Sequence, residues 1–266
     1  LRVHDVRPAH RAVRIADAEY EGRPRFKIET AGVTWFYDRA GGGFSRLIDA
    51  DGRDWISFHK TSLKEFPASA AAGYRGIPNL VFGQDNPDAG AGHPGFDLCE
   101  SKVVGEVAIR TVTKSGRWAW MWRFAAGRAT LAVEKVDGNR PWWFLYEGPI
   151  AGRSAPRAQD WGPNLGGPRR EAPDHSRREE ASGPWRWVYF GDRASPRVLF
   201  VARHSADESV NVFSYMGSTR AGIAAPDGMV VFGFGRTSGA RPLLQGAGAR
   251  FVVGFVEAPV PDAAAH

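Results

Sequence analysis

The segment Arg117-Trp118-Ala119-Trp120-Met121-Trp122-Arg123-Phe124 constrains the fold more than any other stretch of the 266-residue chain. In an extended backbone Trp118, Trp120, Trp122 and Phe124 share one face, while Arg117, Ala119, Met121 and Arg123 share the other. A helix would scatter the rings around a cylinder. Three indoles and a phenyl ring on one face need a second layer to exclude water, so the segment predicts a strand packed against another sheet. The other use of such a row is a platform on which sugar rings stack.

Short strands recur along the rest of the chain. Phe26, Ile28 and Thr30 alternate with charged neighbours, Ala31-Gly32 makes a tight turn, and Val33 to Asp38 returns as a second strand. Phe44 to Ile48, the turn Asp49-Ala50-Asp51-Gly52 and residues 54–59 predict another hairpin. Residues 106–113, 117–124 and 129–136 form a meander closed by Asp137-Gly138-Asn139, and further strands fall at 142–147, 185–190, 197–203, 210–213, 229–234 and 250–257. The only helical turn expected lies at 63–66. Roughly fourteen strands at short spacing define an all-β protein of two large packed antiparallel sheets, a β-supersandwich, with a concanavalin-like jelly roll as the alternative. The expected organisation is an N-terminal arm or edge strand over 1–24, one sandwich domain over 25–258 and a C-terminal tail over 259–266. Two long polar segments interrupt the strands: 69–95 is expected to form a site, and 148–183 to act as a lid or partly mobile loop.

Composition narrows the function. The chain carries a formal net charge of +6, with 29 arginines against six lysines. The arginines are interspersed with acids rather than clustered on one element, which argues against nucleic acid, while the planar guanidinium suits carboxylate, sulfate or phosphate ligands. No run approaches the ~18 apolar residues of a membrane span. Cys99 is the single cysteine, so no internal disulfide forms. A start at Leu1 fits a removed leader peptide, and the expected location is periplasmic or secreted. No P-loop, dinucleotide fingerprint, nucleophile elbow or zinc-protease motif is present, and the histidines lack metal-ligand spacing, so no cofactor and no metal are expected.

The chemistry-bearing residues concentrate at strand ends and in the 69–95 loop. Tyr74-Arg75-Gly76-Ile77-Pro78-Asn79 and His93-Pro94-Gly95-Phe96 set polar heads beside residues that fix the backbone. Trp142-Trp143-Phe144-Leu145-Tyr146-Glu147 ends an aromatic strand on a carboxylate, and Arg203-His204 leaves an apolar one. Each has a plain structural use as well: Arg75 as a tie for its loop, Glu147 as its ion-pair partner, and His93 or His204 as a satisfied histidine.

The motifs Phe44 to Ile56, Tyr74 to Asn79, Trp143 to Gly148 and Val231-Phe232-Gly233-Phe234-Gly235-Arg236 resemble a group of secreted bacterial proteins associated with polysaccharide breakdown. More loosely, an all-β chain of this length with an arginine followed about eighteen residues later by a histidine is similar to the galactose-mutarotase-like β-supersandwich. That resemblance implies that Arg75, His93 and His204 take the places of the mutarotase arginine and two histidines. No glutamate stands in the late context that mutarotases use.

Together these features imply a carbohydrate-active enzyme on an anionic oligo- or polysaccharide. A lyase would cleave a uronate-containing glycan by β-elimination. Arg75 and Asn79 would neutralise the carboxylate, His93 or His204 would act as base, and Tyr189 or Tyr146 as acid. A glycoside hydrolase would pair Glu147 with Asp97, Asp160 or Asp192. A noncatalytic binding domain would use its indoles to stack sugars. Trp143, Trp161, Arg203 and Arg236 complete the expected substrate contacts. Oligomeric state is left open.

Overall fold

The computed structural model describes residues 13–60, 74–205, 209–217 and 222–257. The alternation expected from the sequence appears directly. Strands β1 (Arg14–Tyr20), β2 (Arg23–Thr30), β3 (Val33–Asp38) and β4 (Phe44–Ile48) form an antiparallel meander. β5 (Cys99–Val104), β6 (Ala108–Thr113), β7 (Ala119–Ala125) and β8 (Arg128–Lys135) form a second one. There follow β9 (Phe144–Gly148), β10 (Gln159–Pro163), β11 (Ala181–Gly183), β12 (Trp187–Asp192), β13 (Arg197–Arg203), β14 (Asn211–Met216), β15 (Met229–Phe234), the short pair β16 (Arg236–Thr237) and β17 (Arg241–Pro242), and β18 (Arg250–Glu257).

Eight strands make the back sheet, in the order β10-β12-β13-β18-β8-β7-β6-β5. The front layer consists of two four-stranded sheets, β1-β2-β3-β4 and β11-β14-β15-β9. A short extended segment joins them. Ile77 bridges Phe44 of β4 on one side, and Gly76 bridges Glu147 of β9 on the other. The Phe44 N–H donates to the Ile77 carbonyl (2.7 Å), while Gly76 and Glu147 exchange both backbone bonds (2.9 and 3.0 Å). Residues 76–77 are thus a seam between two half-sheets.

The core lies between front and back layers. Trp118, Trp120 and Trp122 are fully buried, so their row is core and not an exposed sugar platform. Phe44 meets Trp122 edge-on at 4.7 Å, Phe144 stacks on Phe251 at 4.5 Å, and Phe190 lies 5.7 Å from Phe213. These contacts come from both half-sheets and hold each against the back sheet. Burying a ring of this size is worth roughly 1.5–3 kcal/mol, which favours a continuous aromatic layer. The Trp120 indole N–H donates to the Tyr37 hydroxyl (3.0 Å), which also bonds the Gly42 carbonyl (2.8 Å), so those polar groups are satisfied inside the apolar layer.

Several local expectations are corrected. Residues 54–59 form no strand: only Asp54 bridges Ile48, and the Asp54 carboxylate instead accepts from the N–H groups of Leu47, Ile56 and Ser57. Those bonds curl the chain, while the N–H groups of Trp55 and Phe58 still donate to the Leu47 and Ser45 carbonyls of β4 (2.8 and 3.2 Å). The 148–183 segment is not a lid, because its buried Trp161 and bonded backbone commit it to edge strands β10 and β11. β5 has no visible strand period in the sequence, because Glu100, Ser101 and Lys102 hide it. Residues 63–66 and 259–266 lie outside the described residues.

Candidate active site

Alternation along β9 separates core from site. Phe144 and Tyr146 point into the aromatic layer, so Leu145 and Glu147 point to the opposite face of the front sheet. On β15 the same logic turns Phe232 and Phe234 inward and leaves Val231 outward, paired in register with Glu147. Leu145, Glu147 and Val231 form the floor of a cavity of about 390 Å³. Its walls are Tyr74, Asn79, Phe82, His93, Phe96, Trp143, His175 and Arg236. Space on this floor depends on Gly233, where a Cβ would lie 2.5 Å from Leu145 Cδ2 and 2.7 Å from Arg236 Cβ.

The seam delivers Asn79. Its φ of 48° is a left-handed conformation that asparagine tolerates better than most residues. Its Nδ2 donates to the Tyr74 carbonyl (2.9 Å) and to Glu147 Oε2, while its own carbonyl accepts from Trp143 Nε1 (2.6 Å). Among the described residues Asn79 Oδ1 is buried without a partner.

His93 is held from the other side. The Asp38 carboxylate, paired with Arg25 (2.7 Å) and Arg23 (3.1 Å), accepts the Gly95 N–H (2.7 Å) and so anchors the chain two residues beyond the histidine. His93 Nδ1 lies 2.5 Å from the Pro94 carbonyl. A carbonyl can only accept, so Nδ1 carries the proton and Nε2 carries the lone pair. Nε2 is buried with no hydrogen bond among the described residues. Burial lowers the His93 pKa to about 4, with the Pro94 and Tyr74 carbonyls pulling the other way. The ring is a neutral base.

Glu147 is its opposite. Burial raises its pKa to about 8, against the attraction of Arg236 and the hydrogen bond from Asn79. At neutral pH the carboxyl is protonated and can give a proton. Arg236 is almost completely buried and lies 3.6 Å from Glu180, with Nη1 making no geometrically good hydrogen bond. His175 enters from the turn that the sequence offers no period for: Asp174 Oδ1 caps it by accepting from Ser176 N (2.9 Å) and Oγ (2.7 Å). Phe82 and Trp143 are tilted rings 4.5 Å apart at the mouth, with Phe82, Phe96 and Tyr74 exposed.

Five expected residues therefore meet in one cavity: Asn79, His93, Trp143, Glu147 and Arg236. Six do not line it. Arg75 is a tie, donating to the carbonyls of Ser57 (3.1 Å) and Asp227 (2.5 Å). Tyr146 bonds the Trp55 carbonyl inside the core (3.0 Å). Trp161 packs on Phe213 at 4.4 Å and donates to the Glu171 carbonyl. Tyr189 pairs with Phe200 in the back sheet, Arg203 lies over the Phe251 ring, and His204 is exposed at the end of β13. His175, Tyr74, Phe82 and Phe96 are the cavity residues the strand-end reasoning missed. Among the described residues no three metal-binding side chains converge, and no helix is long and apolar enough to cross a membrane.

No family model matches the chain, and no curated protein matches it in sequence. Solved structures do match. The protein HI1317 superposes with a TM-score of 0.60 at 10% identity, over 96% of this chain and 98% of its own. A candidate mutarotase, YeaD from Salmonella typhimurium, gives 0.54 at 10% identity over 94% and 97%. These proteins share this chain's fold. A candidate aldose 1-epimerase from Escherichia coli K12 adds 0.51 at 11% identity over 92% and 99%. Identities this low show a shared architecture alone, and the chemistry rests on the cavity.

Proposed function

We propose that the protein is a carbohydrate-active enzyme working by general acid–base catalysis, and that it cleaves an acidic glycan by β-elimination. One observation carries this reading: a histidine kept neutral and a carboxyl kept protonated line the same cavity. Between about pH 4 and about pH 8 a base and an acid coexist there, each in the form its task needs.

In the proposed step a uronate lies over the β9–β15 floor with its carboxylate toward Arg236. His93 Nε2 takes the C5 proton, the electron pair forms the C4–C5 double bond, and the C4–O bond breaks. Glu147 gives its proton to the departing oxygen. Arg236 offsets the charge that builds on the carboxylate, and Asn79 Oδ1 accepts from a sugar hydroxyl. Trp143, Phe82 and Phe96 offer apolar ring surface to the sugar face. A glycan substrate also supports a periplasmic or secreted location.

Hydrolysis has less support. It ordinarily uses two carboxyl groups roughly 5–10 Å apart, and among the described residues Glu147 is the one carboxyl lining the cavity. Asp97 pairs with Lys114, Asp160 with Arg170 and Arg193, and Asp192 with Arg153. The fold favours a different second reading, 1-epimerisation, in which the same pair would act on the anomeric hydroxyl and the ring oxygen. Incubation with a panel of uronate-containing polysaccharides separates the cases. Elimination yields a product with the ultraviolet absorbance of an unsaturated uronate. Anomer interconversion of free sugars by NMR without that product would overturn the lyase reading in favour of epimerisation, and new reducing ends without it would favour hydrolysis.

A further inference from the structure

A second cavity of about 460 Å³ adjoins the first and shares Tyr74, His175 and Met216 with it. Its remaining lining is Ser176, Arg178, Glu180, Gly217, Ser238 and Gly239, which add hydroxyl and charged groups to a largely apolar wall. The wall formed by the 174–178 turn is fixed to the sheet: Asp174 bridges Tyr215 of β14, the Tyr215 N–H donates to the Pro173 carbonyl (2.8 Å), and the Glu179 N–H closes back on the Asp174 carbonyl (3.0 Å). His175 stands on the partition, its Nδ1 buried without a hydrogen bond among the described residues and 3.8 Å from Glu180.

We infer that this second cavity is a subsite for the neighbouring sugar, so that the substrate is an oligosaccharide of at least two units lying across His175. This rests on the carbohydrate reading of the first cavity and extends it. The two cavities divide the work that a glycosidic pair requires. The first places an acid and a base against an apolar floor and aromatic mouth. The second presents hydroxyls (Ser176, Ser238), a guanidinium and a carboxylate, which match the several hydroxyls of a sugar that is held and not transformed. Each volume is within the range of a small-molecule site, and a single sugar fills only one of them. Three residues line both cavities, so one ligand can touch both.

The test compares mono-, di- and trisaccharides of the glucuronate and galacturonate series by calorimetric titration, against wild type and Ser238→Trp. Ser238 is exposed and lines the second cavity and not the first, so the indole is expected to block one subsite and leave the acid–base pair in place. A disaccharide is expected to bind wild type at least about tenfold more tightly than the monosaccharide, a gain of about 1.4 kcal/mol. In Ser238→Trp that gain disappears while monosaccharide affinity is unchanged. Equal affinity for one and two sugars in wild type, or a gain that survives Ser238→Trp, overturns the second subsite and leaves the first cavity's reading intact. Wild type that binds no member of either series overturns the acidic-sugar reading and this inference with it.

Discussion

Two buried carboxyl groups in this molecule have opposite fates. Asp192 ends β12 with its side chain sealed from water, and it is surrounded by donors. Arg153 grips both oxygens (2.8 and 2.6 Å), Gln159 Nε2 donates at 3.1 Å, and the Ala194 N–H at 2.8 Å. Burial pushes its pKa up, yet those bonds together hold it below the ordinary value. Glu147, next to last in β9, has a single side-chain donor, Asn79, and burial wins. The same chemical group is an anchored anion in one place and a held proton in the other. Saturated hydrogen bonding keeps Asp192 an anion, and its shortage keeps the proton on Glu147, beside which Asn79 Oδ1 and His93 Nε2 also lack partners among the described residues, as do the core indole nitrogens of Trp35, Trp118 and Trp122.

The sharpest way to break this contrast is to remove the proton carriers. His93→Ala and Glu147→Gln are expected to lower kcat/KM by roughly 10²–10⁴-fold, while the thermal midpoint moves only a few degrees. Steady-state kinetics beside a thermal melt reads both. Full turnover by either variant would place the reaction elsewhere. Asp192→Ala should behave in reverse, costing about 2 kcal/mol of stability because Arg153 and Gln159 lose their acceptor, with kcat of the folded fraction unchanged in a urea-titrated sample.

Titration offers a finer test. The kcat/KM profile should rise near pH 4, where His93 loses its proton, and fall near pH 8, where Glu147 loses its own. Stability follows by linkage. Glu147 binds its proton more tightly folded than unfolded, so its contribution is complete below about 4.5 and declines as pH rises to about 8. His93 binds its proton less tightly folded, so its contribution grows as pH rises from about 4 to 6.5. Glu147→Gln should flatten the decline on the alkaline side while leaving the acid side intact, as denaturant midpoints across the pH range would reveal. The smallest effect is expected from Glu180→Gln. Arg236 then loses the closer of its two acidic neighbours and acts more fully on Glu147, moving the alkaline limb of the profile down by a fraction of a pH unit.

The aromatic strand was legible because its period of two is unbroken and its rings are large enough to demand a covering layer. Glu147 was legible for the same reason: it falls at the odd position of a strand whose Phe144 and Tyr146 must face inward. Asn79 and His93 stood out through the Gly and Pro that fix their backbone. Direction along an irregular segment was not legible. Arg75 sits four residues from Asn79 yet turns to the Ser57 and Asp227 carbonyls, partners whose approach depends on the seam. His204, read as the polar exit of an apolar strand, offered the same chemistry as the loop-borne His93, but its strand belongs to the back sheet. His175 left one signal, the Asp174-His175-Ser176 cap, which identifies a fixed turn and says nothing of the cavity beneath it.

The seam at residues 76–77 has a mechanical consequence. Two hydrogen-bonded half-sheets meet along a single short segment, and the cavity lies beside that join on the β9–β15 half, with Asn79 just past the seam and Glu147 on β9. A ligand gripping both acts as a rivet. Occupancy would slow amide exchange at Gly76 and Glu147 together, because their paired N–H groups close the join beside the cavity.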